Sequence, residues 1–209
     1  SHLADGGTSE VYLARGGEQT FALKILKASL AHLPAMQARM INEAVTLEAL
    51  RLPGVIQVFG NGDFQGRPYL VMEYLPVSLA QRLSRPLPLV EALAVTEALA
   101  RVLAQLHAHG LVHRDVKPSN VLFTQAGELR LVDFSHAKLP STDETVVPHS
   151  TETGAFLGTR DYAAPEQLIN AKSVDGRADV YALGVVLFEA LSGRRPFVGA
   201  ADAELAQDG

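Results

Sequence analysis

Residues 113–120 read His-Arg-Asp-Val-Lys-Pro-Ser-Asn, and thirteen positions after Asn120 comes Asp133-Phe134-Ser135. The first stretch sets a carboxylate, an ammonium and an amide close together after an apolar run. The second sets another carboxylate after Leu129, Leu131 and Val132. A His-Arg-Asp triplet alone is commonly a surface charge cluster, and Asp-Phe-Ser alone says nothing. What constrains the fold is their joint occurrence with further elements in a fixed order. These are a glycine-containing turn at Gly6-Gly7, a lysine inside an apolar strand at Lys24, a glutamate on the next helix at Glu43, and Ala164-Pro165-Glu166.

Phosphoryl transfer from a metal–nucleotide complex needs such equipment. In these residues the chain resembles the eukaryotic-type (Hanks-type) protein kinases, and Asp-Val-Lys-Pro-Ser-Asn resembles their Ser/Thr branch. The stretch from Gly158-Thr159 through Ala164-Pro165-Glu166, with the later apolar helix and Pro196-Phe197, looks most like bacterial members, often membrane-tethered through segments outside the catalytic domain. The resemblance implies an α+β, bilobal fold: a small antiparallel β-sheet lobe with one helix over 1–74, and a mainly helical lobe over 75–209. Further helices that relatives carry would lie beyond Gly209. It also implies ATP-dependent transfer of the γ-phosphate to Ser or Thr hydroxyls of protein substrates, with ATP and Mg²⁺ as cofactors and control by activation-loop phosphorylation. The alternative is a pseudokinase, a module that binds nucleotide or a partner without turnover.

Residue by residue, the resemblance implies that Asp115 orients the substrate hydroxyl and accepts its proton. Lys117 neutralises the moving phosphate, and Asn120 and Asp133 hold Mg²⁺. Lys24 binds the α- and β-phosphates while Glu43 fixes its position. Leu3, immediately before the nucleotide loop, and Gly6 within it bind the nucleotide, Val11, Ala22 and Leu122 sandwich the base, Met72 is the gatekeeper, and Glu73 to Leu75 form the hinge. Three positions depart from the pattern: Ala4 and Ser9 replace loop glycines, and Ser135 replaces the glycine of Asp-Phe-Gly. Serine restricts the backbone freedom that glycine has, so the expected effect falls on switching more than on chemistry. Arg114 is expected to pair with a phosphorylated residue among Thr142, Thr145, Ser150, Thr151 and Thr153, and Thr159 to bridge Asp115 and Lys117. Arg160 stands where many relatives have proline. Asp179 reads as a helix N-cap, a ligand of the catalytic-loop backbone, or both. Glu166 reads as a partly buried carboxylate whose arginine partner lies beyond Gly209.

Periodicity sets the elements. Apolar positions recur at helical spacing from Pro34 to Leu50 and again from Leu89 to Leu106, where His109-Gly110 ends the run. Strands are expected at Phe21–Leu26, Val55–Phe59, Tyr69–Glu73, Val121–Phe123 and Leu129–Val132, and a helix at Val180–Leu191, stopped by Gly193. That helix is expected to leave an apolar face uncovered, which would make residues 1–209 alone poorly soluble. A net charge of −5 over 209 residues gives no basic footprint for nucleic acid. No cysteine is present, which removes disulfides and fits a reducing, cytoplasmic setting. No apolar stretch reaches the roughly 20 residues of a membrane span, so no membrane contact is expected within these residues. The oligomeric state is left open.

Overall fold

The computed structural model describes residues 1–137, 160–169 and 174–197. Strands β1 (His2–Asp5), β2 (Ser9–Gly16) and β3 (Gln19–Leu26) are followed by helix α1 (Pro34–Leu50) and by β4 (Val58–Phe64) and β5 (Arg67–Glu73). They form one five-stranded antiparallel sheet in the order β1-β2-β3-β5-β4. Alternation explains its buried face: Pro68, Leu70 and Met72 point inward from β5 while the residues between them stay half-exposed. Helix α1 starts with Pro34 at the position where a missing N–H costs nothing. Met40, Glu43, Ala44 and Leu47 then recur on its buried stripe, and Leu47, Ala44 and Met40 pack with Leu26, Leu70 and Met72 of the sheet.

The expected strand at Val55–Phe59 is corrected. The strand is β4, three residues later, and it runs straight through Asn61-Gly62-Asp63, which the composition marks as a turn. Gly62 is a strand glycine for a packing reason: a Cβ there would sit 2.6 Å from the Tyr69 hydroxyl on β5. The hairpin turns instead at Gln65-Gly66, both at positive φ, with Asp63 Oδ1 accepting from Gly66 N at 2.8 Å. Val55 and its neighbours join the other half of the molecule: Leu131 N donates to Gly54 O and Ile56 N to Leu131 O.

Beyond Glu73 the chain forms β6 (Val77–Ser78), α2 (Leu79–Arg82), α3 (Leu89–Ala108), β7 (Val121–Phe123), β8 (Leu129–Leu131), α4 (Pro165–Ile169) and α5 (Arg177–Ser192). Strands β6, β7 and β8 make a small antiparallel sheet. Helix α3 buries Leu99, Val102, Leu103 and Leu106 in the same core as Ala182, Val186 and Ala190 of α5, and that core continues into the five-stranded sheet. Gly110 at φ 72° ends α3, and Gly193 at φ 71° ends α5. Helix α5 begins earlier than expected, with Gly176 at its N-cap, so the N-cap reading of Asp179 is corrected: Asp179 lies inside the first turn and is fully buried. Val180, Phe188 and Leu191 on α5 remain exposed. No helix among the described residues is long and apolar enough to cross a membrane.

Candidate active site

A cavity of about 950 Å³ opens between the five-stranded sheet and the helical half, within the ~300–1,000 Å³ range of small-molecule sites. Leu3, Gly6, Val11, Ala22, Lys24, Met72, Glu73 and Leu75 line it from the sheet side. Asp115, Lys117, Asn120, Leu122 and Asp133 line it from the other. Glu43, also expected at the nucleotide site, is not on this wall; it sits behind Lys24.

The strand register sets Lys24 of β3 opposite Val11 and Leu70, and its side chain passes into the core. The Lys24 ammonium donates to Glu43 Oε1 and Oε2 at 2.8 and 2.9 Å and to Asp133 Oδ1 at 2.7 Å. Burial works against the charged form of Lys24, but Asp133 and Glu43 outweigh it and hold its pKa above the ordinary lysine value. Burial also pushes the Glu43 carboxyl up, with the Lys24 ammonium opposing that shift. Burial acts in the same direction on Asp133, yet the Lys24 charge and its hydrogen bond dominate and hold that carboxyl well below the usual range.

The polar groups of residues 115–120 form a second cluster. Lys117 Nζ donates to Asp115 Oδ2 at 2.8 Å, and Asn120 Nδ2 donates to Asp115 Oδ2 at 2.9 Å and to its carbonyl at 2.8 Å. Val132 N donates to Asn120 O, tying this loop to the strand that delivers Asp133. Arg114 and Asp133 are two of the four non-glycine residues at positive φ among those described, at 66° and 63°. Such backbones persist where surroundings over-determine them.

Asp179 does this for Arg114. Its carboxylate accepts from His113 N at 2.9 Å and Arg114 N at 2.8 Å, and His107 Nε2 lies 2.8 Å away. His113 is fully buried, with Nε2 3.0 Å from Val132 O and its ring edge-on to Phe134 at 4.8 Å. Asp179→Ala is therefore expected to destabilise the chain by about 2–5 kcal/mol, because two buried amides lose their acceptor. A urea titration checks this; an unchanged midpoint would mean that the loop finds other acceptors.

Several contacts were not apparent from the sequence. His107 sits in the last turn of α3, where a histidine reads as an ordinary C-terminal residue. Arg39 of α1 donates from Nε to the Ser135 carbonyl, and Gln167 Nε2 donates to Arg114 O at 2.9 Å. Arg39 is one turn before Glu43 on α1, a spacing that could have signalled it. Glu166 is corrected: it is exposed at the start of α4, so the expected cost of a buried carboxylate does not arise. In the turn between β1 and β2 Gly6 N donates to Ser9 O at 2.8 Å, and Ser9 is buried. Thr142, Thr145, Ser150, Thr151, Thr153 and Thr159 lie outside the described residues, and Arg160 opens the short turn Arg160–Tyr162.

The protein kinase domain family matches residues 1–208 of this chain. Serine/threonine-protein kinase PknB of Mycobacterium leprae is 35% identical over 206 residues, covering 94% of this chain and 32% of the relative. The probable serine/threonine-protein kinase SCO3848 of Streptomyces coelicolor is 38% identical over 207 residues, 94% of this chain and 30% of that protein. Serine/threonine-protein kinase PknA of Mycobacterium tuberculosis is 40% identical over 208 residues, 94% of this chain and 47% of the relative. The chain thus spans from 30% to 47% of the length of these relatives.

Proposed function

Because the chain belongs to the protein kinase domain family, we propose that it transfers the γ-phosphate of ATP to Ser or Thr hydroxyls of protein substrates. The observation that carries this reading is Lys24, whose ammonium meets Glu43 at 2.8 Å and Asp133 at 2.7 Å beside the large cavity. An ammonium buried between two carboxylates is costly to assemble unless it serves a ligand. In this reading Lys24 turns toward the α- and β-phosphates, and Glu43 holds it there. Asp115 orients the hydroxyl and takes its proton, and Lys117 neutralises the phosphate as it moves.

Asn120 and Asp133 fit Mg²⁺. This small, hard cation takes one or two protein ligands and completes its shell with phosphate oxygens and water. Among the described residues no three His, Cys, Asp or Glu side chains gather into an all-protein cage. The metal–nucleotide supplies the phosphoryl group, its leaving group and the charge that binds them. Val11, Ala22 and Leu122 would cover the base beneath Met72, with Leu3 and Gly6 over the phosphates. We assign the adenine contacts to the Glu73 carbonyl and the Leu75 backbone, since the Glu73 N–H is engaged by Gln57 O at 3.0 Å.

We divide the chain at 74/75 into a nucleotide-holding half and a half that carries the proton-transfer groups. Control by phosphorylation of Thr142, Thr145, Ser150, Thr151 or Thr153, read by Arg114, belongs to the same proposal, as does a cytoplasmic site of action where ATP is available. Incubating the intact protein with Mg²⁺ and γ-labelled ATP should label Ser or Thr in a general peptide substrate or in the protein itself. A melting-temperature rise with Mg·ATP but no labelled residue would instead favour the binding module.

A further inference from the structure

Ser135 occupies one of the three positions at which the sequence departs from the family pattern, and its surroundings give the serine a task. Its hydroxyl donates to Asp133 Oδ1 at 2.8 Å, the oxygen that Lys24 also meets at 2.7 Å. Its carbonyl accepts from Arg39 Nε. Between them, Phe134 N donates to Glu43 Oε1 at 3.2 Å. Arg39 and Glu43 lie one turn apart on α1, so one helix face grips two successive residues after Asp133.

The backbone strain in this segment falls on Asp133, at φ 63° and ψ 74°, while Ser135 is not among the residues at positive φ. Serine therefore carries no conformational penalty here. Compared with glycine it narrows the alternatives open to the segment. The Asp133 carboxylate is about a third exposed and faces the cavity. Two donors on Oδ1 restrict the rotation of the carboxylate.

We propose that Ser135 is a positioning residue for the metal ligand Asp133, holding its carboxylate in the cation-binding orientation after Lys24 has moved to the phosphates. The proposal rests on the kinase reading above. Lys24 serves Glu43, Asp133 and, in that reading, a phosphate as well; when it turns away, the serine hydroxyl is the donor that stays on Oδ1. A glycine could not supply it.

The test is calorimetric, on the intact protein, with a non-hydrolysable ATP analogue titrated at rising MgCl₂ and again in EDTA. Ser135→Ala and Ser135→Gly should raise the Mg²⁺ concentration needed for half-maximal nucleotide uptake by about 10-fold to 100-fold, the range for supports of metal ligands. Nucleotide affinity in EDTA should stay unchanged, and Ser135→Thr, which keeps the hydroxyl, should behave as the parent protein. The melting temperature of each variant is read in parallel, and Ser135→Gly decides if Ser135→Ala does not fold. A parental Mg²⁺ dependence in the hydroxyl-free variants overturns the proposal, as does an equal loss in EDTA. If the parent protein takes up no Mg²⁺-nucleotide, the kinase reading falls and this inference falls with it. If the parent binds and the variants match it, only the role of Ser135 falls.

Discussion

Asp115→Asn is expected to lower phosphate transfer by about 10²-fold to 10⁴-fold, the range for loss of a general base, with nucleotide affinity retained. The amide keeps the size of the carboxylate, so the loop need not repack. What changes is the set of partners. Asp115 now accepts from Lys117 at 3.1 and 2.8 Å and from Asn120 at 2.9 Å. An asparagine has one oxygen for those donors and cannot take a proton from a substrate hydroxyl. Nucleotide binding should survive because the phosphate-side ammonium, Lys24, is anchored to Glu43 and Asp133 rather than to Asp115. Single-turnover transfer and calorimetric nucleotide affinity, measured on the same variant, separate these two effects. Undiminished transfer would remove Asp115 from the proposed role, and loss of nucleotide binding would mean that the two clusters act as one.

Helices α1 and α3 were legible in the sequence because their signals are local. Pro34 at the start of α1, helical spacing through Leu47 and a break before Pro53-Gly54 mark its bounds without knowledge of the rest of the fold. The ordered motifs were legible for the same reason, and the structure brings Lys24, Asp115, Lys117, Asn120 and Asp133 to one cavity. What the sequence hid depends on distant partners. Gly62 reads as a turn until Tyr69 is known to lie across it. Asp179 by local signals alone reads as a cap; only the resemblance pointed to the amides of His113 and Arg114, more than 60 residues earlier, from which it accepts. The glycine lost at Ser135 reads as a defect in the sequence. In the fold its hydroxyl and carbonyl both have partners, and the conformational demand sits on Asp133.

Lys24→Met should have the largest combined effect on binding and stability, because it strands two carboxylates. Methionine fills the lysine stem and removes only the charge. Glu43 is then left buried with the Phe134 amide as its named donor. Removing one partner of a buried pair costs about 3–5 kcal/mol, and uptake of a proton by the stranded carboxyl limits that cost. The pH dependence gives the sign. Burial already holds the Glu43 pKa above its ordinary value while Lys24 opposes the shift, so without Lys24 it rises further. A carboxyl raised in the folded state binds a proton more tightly there than in the unfolded chain. Its stability contribution is therefore full below the ordinary glutamate pKa and is lost as pH rises through the elevated one. Asp133 has the opposite sign in the parent protein: its pKa is depressed, so its contribution is present above the ordinary aspartate value and lost only in strong acid. That contribution shrinks when Lys24 is removed, since Lys24 is the main group lowering the Asp133 pKa. The variant should thus gain more urea resistance than the parent does on going from about pH 8 to about pH 5, because its Glu43 pKa is raised further. The double variant Lys24→Met, Glu43→Gln should recover much of the lost stability, since a neutral amide has no charge to desolvate, yet nucleotide binding should stay abolished. A variant with the parental urea midpoint at both pH values would mean that this ion cluster does not hold α1 to the sheet.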